Sequence, residues 1–435
     1  MPQLPGIDYA VMEEALGSLR RIPLPPGLKG LPPEPDGEPW TPAGLATAGL
    51  NALRDLPTPF AMVRRSALRH NAEVMGRWCA DNGVMLAPHG KTTMAPALWK
   101  LQFETGTWAL TVALPHQAVT AHRFGIRRIL LANEAADLRS LEALVRLAGQ
   151  PGTEVYSFVD SVAGVRAYRA AIDNTGVEPI GLRFLIDIGV PGGRTGCRNK
   201  AEAESVAREI HQTGTAVVGG IGAYEGPAGH DRSAGTLASV NSYLESVTGI
   251  FRAFHDAGVF STDDPPVLTI GGSDIFELVN EHVQHELASV DPYRLVIRSG
   301  CYLVHDHGHY AAVGPSAQPG WAYAPFQAAL EVGATVVSRP QDDLALLNVG
   351  RRDIGFDMGS PSVIDPLPAD GSRPLPIVKL NDQHAFVHPD ESTFLPVGTP
   401  VRVGISHPCT TLDKWRVLLA VDDDYNVVDT VTTIF

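Results

Sequence analysis

The residues most able to do chemistry sit in Ala87-Pro88-His89-Gly90-Lys91-Thr92-Thr93, between the apolar run Val84-Met85-Leu86 and a helical segment at residues 94–103. A lysine just past the carboxyl end of a strand faces a rim where active sites are built, if the fold is a barrel of alternating strands and helices. Such an amine condenses with aldehydes, which suits pyridoxal phosphate, provided other strand ends supply a phosphate cradle and groups around the ring. Thr269-Ile270-Gly271-Gly272-Ser273-Asp274 has the composition of that cradle. Glycine lets the backbone come close, and amide N–H groups with the Ser273 hydroxyl can hold a phosphate. A tight turn explains the same residues equally well. Asp187-Ile188-Gly189 followed by Arg194-Thr195-Gly196 puts a guanidinium beyond another strand, and Tyr224-Glu225-Gly226 ends a further one. There an aromatic ring packs on a cofactor or simply closes the barrel.

A second group lies in Ser406-His407-Pro408-Cys409-Thr410-Thr411. Read as a strand, positions i and i+2 point the same way, so His407 and Cys409 present imidazole and thiol to one ion. The alternative is a chance pair with a packed cysteine. If a metal is held, imidazole with thiolate favours Zn²⁺, with another divalent metal as the alternative, and two protein ligands leave positions open for water and substrate. Asp382 and His384, in Asn381-Asp382-Gln383-His384, are the nearest further candidates for the metal's outer shell or for substrate.

These residues need elements to position them. A chain of 435 residues exceeds what one hydrophobic core of roughly 250–300 residues accommodates, so a large and a smaller domain are expected. Strand patterns at 60–63, 84–86, 107–114, 126–132, 155–159, 180–188, 217–224 and 267–270 alternate with helical ones, Asn133 capping the helix after 126–132. About eight repeats over so short a length favour a closed (β/α)₈ barrel of the TIM type over an open sheet. After residue 293 the alternation stops, and short Val/Leu/Ile runs at 295–297, 301–304, 328–337, 344–349, 376–380, 386–387, 400–405 and 415–421 read as an all-β domain. Residues 358–374, with Pro361, Pro366, Pro368 and Pro374, read as a surface insertion. The expected division is an N-terminal extension (1–55, a helix and a proline-rich arm), a cofactor-binding barrel (56–300) and a β domain carrying the metal pair (301–435).

Composition excludes several roles. The chain has 34 basic and 48 acidic residues, a net charge of −14, with no basic cluster interleaved with aromatics, so neither nucleic acid nor an anionic membrane is an expected partner. Cys79, Cys197, Cys301 and Cys409 have no regular spacing in a chain too large to need staples, which implies free thiols and a cytoplasmic location. No apolar run reaches the ~18 residues of a membrane span.

Taken in order, Pro88-His89-Gly90-Lys91-Thr92, Asp187 with Arg194-Thr195-Gly196, Tyr224, Gly272-Ser273, Arg298-Ser299-Gly300-Cys301-Tyr302, Asp382-Gln383-His384 and His407-Pro408-Cys409 resemble the D-threonine aldolase and eukaryotic-type D-serine dehydratase family, in the bacterial branch labelled amino acid deaminase. The resemblance runs from about residue 55 to the C-terminus. It implies the alanine-racemase-like fold (fold type III), with Lys91 as the lysine that condenses with pyridoxal 5'-phosphate and His89 in the same motif. It further implies Arg194 on the cofactor's phenolic oxygen, Tyr224 beside the ring, Gly272 and Ser273 on the phosphate, and Arg298 beside the pyridine. Ser299 stands where the family's Arg-Pro-Gly motif has proline, and Ala385 where an acidic-acidic-His-Gly motif has glycine. His407 and Cys409 match the metal pair of the dehydratase branch, whereas the aldolases tend to carry aspartate as the second ligand.

The implied activity is a lyase on small D-3-hydroxy amino acids, converting D-serine- or D-threonine-like substrates to a 2-keto acid and ammonia, with Lys91 as general base and Zn²⁺ as Lewis acid. Retro-aldol cleavage to glycine and an aldehyde is the alternative. A pyridoxal-phosphate-binding protein without turnover is a third reading, which a β domain with a metal pair disfavours. The resemblance also implies a homodimer.

Overall fold

The computed structural model describes residues 6–366, 374–389 and 395–435. The chain forms two compact units. One comprises Gly76–Lys91 and Gln102–Gly300 with the residues up to Glu13, and the other Glu14–Met75, Thr92–Leu101 and Cys301–Phe435. The strands in chain order are β1 (Phe60–Arg64), then β2 (Met85–Leu86), β3 (Leu110–Val112), β4 (Arg128–Leu131), β5 (Glu154–Val159), β6 (Leu182–Ile188), β7 (Val217–Ala223), β8 (Val267–Thr269) and β9 (Arg294–Ile297). They continue with β10 (Leu330–Gln341), β11 (Leu344–Leu347), β12 (Ser362–Asp365), β13 (Leu375–Leu380), β14 (Ala385–Val387), β15 (Pro400–Gly404), β16 (Val417–Val421) and β17 (Val427–Thr432).

Strands β2 to β9 make an all-parallel eight-stranded sheet in the order β2-β9-β8-β7-β6-β5-β4-β3. The ring closes between β2 and β3: the Trp108 N–H donates to Leu86 O (2.8 Å), the Thr111 N–H to Pro88 O (3.0 Å), and His89 bridges Thr111. Ala87, Trp108, Leu130, Tyr156, Phe158, Leu185, Val267 and Val296 pack together as a core cluster, as expected of a barrel interior filled by side chains. The amphipathic helix Leu138–Ala148 buries Leu141, Leu144 and Val145. Its cap is Asp137, whose Oδ1 accepts the Ser140 N–H (2.9 Å), whereas Asn133, read as the cap from sequence, donates to Ala113 O (3.1 Å). Ile7 bridges Ile126, so the start of the N-terminal extension is held by this unit.

The barrel is shifted by one strand from the sequence reading. β1 pairs with β10 antiparallel and β16 parallel, inside the other unit's sheet, and the eighth barrel strand is β9, which lies within the expected 56–300 barrel but was read as falling after the strand–helix alternation had stopped. Phe60–Val63 is buried on both faces, and a short, uniformly apolar run looks the same in a parallel barrel as in the middle of another sheet.

The second unit is a nine-stranded sheet in the order β11-β14-β13-β12-β15-β10-β1-β16-β17. Phe60, Met62, Leu419, Val421 and Val427 form a core cluster with Ala52. Gly333 faces Phe60 across the pair, and a Cβ there would lie 2.3 Å from the ring, so β10 can pass only as glycine. Residues 358–374 are not simply an insertion, because β12 pairs with β13 and β15 and buries Val363; residues 367–373 of that stretch lie outside the described ones. The proline-rich arm is tied down within this unit: Leu24 and Leu45 pack with Val417, and Lys29 Nζ reaches Asp353 Oδ1 at 2.7 Å, 3.9 Å from the Trp415 ring centre. Among the described residues no helix is long and apolar enough to cross a membrane.

Candidate active site

In a parallel barrel all carboxyl ends share one rim. His89 and Lys91 follow β2, Asp187 and Arg194 belong to the end of β6, Tyr224 and Glu225 to that of β7, Gly271–Ser273 to that of β8, and Arg298 and Ser299 to that of β9. The rim residues singled out from sequence are thereby gathered from five strands. His89 is half-buried, and its imidazole is held well below its ordinary pKa, first by desolvation and then by the charges of Lys91 and Arg298. Its Nδ1 has no hydrogen-bond partner among the described residues. The buried Arg298 donates from Nη1 to Thr269 Oγ1 (2.8 Å) and from Nη2 to Ala223 O (2.6 Å), 5.5 Å from the Phe158 ring centre. Arg194 is exposed and lies 5.1 Å from the Tyr224 ring centre. Burial raises Tyr224 to about 12 and Asp187 to about 6, the latter accepting the Thr195 hydroxyl at 2.8 Å.

The glycine turn has a specific build. Gly271 has φ +111°, a conformation that side chains disfavour. The Gly272 N–H, expected from sequence to face a phosphate, donates to Glu225 Oε1 at 2.7 Å. Ser299 accounts for the departure from Arg-Pro-Gly: its hydroxyl donates to Gly272 O at 2.6 Å, tying the end of β9 to the turn, a bond that proline cannot make. Two buried orphan atoms, His89 Nδ1 and Glu225 Oε2, beside a half-buried lysine fit a polar ligand that supplies what the protein leaves unpaired. The rim therefore fits pyridoxal phosphate.

The second group lies wholly in the other unit. His407 and Cys409 are not in a strand: β15 ends at Gly404, and Cys409 opens the one-turn helix Cys409–Leu412. Proline at 408 and the Thr411 hydroxyl, which donates to His407 O (2.9 Å), favour that turn over an extended run. The two side chains are still close enough for each to shift the other's protonation. Cys301 Sγ lies 3.6 Å from Cys409 Sγ, and the Thr92 hydroxyl 3.4 Å from it. The Cys301 hydrogen bond, with His407 and Thr92, pulls Cys409 well below the usual thiol range against burial, while Cys301 is driven up by that bond and by burial. Burial opposes charging of His407, yet Cys409 and Asp357 raise it to about 9. None of the four cysteines is in a disulfide.

Sequence reasoning missed Asp357. Its Oδ2 accepts from His407 Nδ1 at 2.8 Å and its Oδ1 from the Thr410 hydroxyl at 2.6 Å. No local signal marks it, since it lies 50 residues from its partner. Asp382 and His384 are instead exposed in the connection between β13 and β14, with Asp382 paired to Arg352 at 3.3 Å. Among the described residues no set of three metal-binding side chains is assembled. Imidazole fixed by a carboxylate on one nitrogen, together with a cysteine favoured as thiolate, is a donor pair that fits Zn²⁺.

Residues 329–421 match the family model described as "Putative serine dehydratase domain". The D-threonine aldolase of Arthrobacter sp is 23% identical over 372 residues, covering 85% of this chain and 90% of that one. The D-threonine aldolase structure from Filomicrobium marinum has a TM-score of 0.74 at 21% identity, covering 88% and 96% of the two chains. D-threo-3-hydroxyaspartate dehydratase from Delftia sp. HT23 has a TM-score of 0.68 at 21% identity, covering 87% and 98%. Two variants of a D-threo-3-hydroxyaspartate dehydratase also match, one with a histidine and one with a cysteine two positions further on replaced by alanine, the latter described as metal-free. The fold defines a class, the alanine-racemase-like barrels joined to a β domain. Within it, the chain is similar along most of its length to D-threonine aldolases, and its residues 329–421 to the serine dehydratase domain.

Proposed function

We propose that the protein is a pyridoxal-phosphate-dependent lyase of D-3-hydroxy amino acids, and that it dehydrates them to a 2-keto acid and ammonia. The observation carrying the dehydratase reading is the pairing of His407 with a cysteine held towards thiolate; it is supported by the His-x-Cys spacing of the substituted residues in the dehydratase variants. The cofactor, bound, withdraws the electrons left at Cα when a proton is lost. Lys91 is the residue that would hold it, and its amine would accept the Cα proton of the substrate on Nζ. Arg298, buried at the end of β9, and His89, half-buried after β2, are the groups that would flank the ring. His407 and Cys409 are the residues that would hold Zn²⁺, which supplies Lewis-acid polarisation of a hydroxyl group. Asp357 engages His407 Nδ1 at 2.8 Å, which would leave the other ring nitrogen as the one to donate to a metal. Thr92, hydrogen-bonded in the thiol group, follows Lys91 directly in the chain.

Retro-aldol cleavage is the second reading, favoured by the aldolase relatives. The two part at one proton: an aldolase needs a base on the β-hydroxyl, a dehydratase a base on Cα. Incubation with D-serine, D-threonine and D-threo-3-hydroxyaspartate, with assays for keto acid and ammonia against glycine and aldehyde, is expected to show keto acid and ammonia in equal amounts. Glycine and aldehyde as the only products would overturn the dehydratase reading and leave the aldolase one.

A further inference from the structure

The end of β7 carries an acid that neither the sequence reading nor the proposed reaction uses. Glu225 is 2% exposed. Its Oε1 accepts the Gly272 N–H at 2.7 Å, and its Oε2 is buried with no partner among the described residues. No Lys or Arg forms an ion pair with it among those residues. The nearest cation, Arg298, spends its guanidinium on Thr269 and Ala223. The other groups facing it are Asp274, which disfavours a charge there, and the phenols of Tyr224 and Tyr243, both raised by burial and neutral. A carboxylate enclosed with a single N–H and an empty second oxygen is poorly compensated, whereas a carboxylic acid in that position has one oxygen accepting and an O–H left to give.

We propose that Glu225 is a phosphate-side ligand of the cofactor: it stays protonated, accepts the Gly272 N–H on Oε1 and donates from Oε2–H to a phosphate oxygen. The proposal rests on the pyridoxal phosphate reading of the rim. It also resolves the position of Gly272. The amide cannot serve the phosphate directly while it serves Glu225, so the acid passes the contact on. An ionised Glu225 would instead set a negative charge against a dianion in an enclosed place. Burial pushes the Glu225 carboxyl above its ordinary range, in the direction this role requires.

The test uses the full chain freed of cofactor, as wild type, Glu225→Gln and Glu225→Ala, titrated from neutral to alkaline pH with pyridoxal phosphate and, separately, with pyridoxal. Absorbance and protein fluorescence give the affinities, and circular dichroism checks the fold. Pyridoxal has the aldehyde for Lys91 but no phosphate, so it reports the lysine's own pH dependence. Glutamine keeps both hydrogen bonds without a proton to lose. Relative to pyridoxal, wild-type affinity for pyridoxal phosphate is expected to fall with rising pH by up to about tenfold per unit once Glu225 ionises, while Glu225→Gln stays flat. Glu225→Ala is expected to lose at least about tenfold for pyridoxal phosphate and little for pyridoxal. A glutamine variant that follows the wild-type profile, or an alanine variant that loses both ligands equally, overturns the proposal. A wild type that binds neither ligand overturns the cofactor reading itself, and this inference with it.

Discussion

The two groups of reactive side chains are built in opposite ways. On the barrel rim the residues come from five strand ends spread over some 200 residues of chain, and the buried polar atoms are incompletely paired: His89 Nδ1 and Glu225 Oε2 have no partner among the described residues. In the β-rich unit, His407 and Cys409 are two residues apart and every contact closes on a neighbour, with Asp357 on the imidazole and Cys301 and Thr92 on the sulfur. The rim has the form of a site that a large polar ligand completes. The thiol group is already self-paired, so its hydrogen bonds would have to rearrange for it to take a ligand. This difference gives the rim geometric selectivity and the thiol group a ready-made donor.

The largest effect is expected where the rim meets the cofactor. Lys91→Ala should abolish turnover and the yellow absorbance of the bound cofactor while the protein stays folded and its metal content is unchanged. Absorbance and elemental analysis of the same preparation check this. A coloured Lys91→Ala protein would move the covalent link to another lysine, and loss of metal with the colour would break the separation of the two groups.

A smaller effect is expected from Asp357→Asn. The amide keeps the size and still accepts from His407 Nδ1, but gives up the charge that orients and polarises the ring. Partners of this kind are worth about 10–100-fold in metal affinity. Competition with a chromogenic zinc chelator should show a loss in that range, with cofactor absorbance intact, and Cys409→Ala should weaken metal binding further. An Asp357→Asn protein with wild-type zinc affinity would mean that the carboxylate serves only the Thr410 turn.

The two groups were also unequally legible in the sequence. The rim could be read because a barrel converts strand ends into neighbours whatever their separation, so local motifs at Lys91, Arg194, Tyr224, Gly272 and Arg298 sufficed. What misled was β1, whose uniformly apolar run carries no mark of which sheet it joins. His407 and Cys409 were expected in a strand and lie instead at a tight turn, which brings i and i+2 side chains near one another as well. Asp357 was invisible because its partner is far away in the chain and its neighbours, Phe356 and Met358, have no periodicity. The Pro-rich stretch after it hid β12 for a similar reason: Pro361 and Pro366 flank the strand without entering it, yet they set the composition.

The smallest effect sharpens the rim side alone. Ser299 Oγ donates to Gly272 O from a fully buried position, and its loss leaves that carbonyl without this donor. Ser299→Ala should cost about 1 kcal/mol of stability and, by freeing the turn that holds Glu225, weaken pyridoxal phosphate binding by no more than about tenfold, the factor corresponding to 1.4 kcal/mol. Zinc affinity should not change. Ser299→Pro, which restores the family's residue, removes the same hydroxyl and should match the alanine variant in cofactor affinity if the hydrogen bond is what matters. A proline variant that binds the cofactor as well as wild type would show that chain stiffness and the hydroxyl are interchangeable ways of holding one turn.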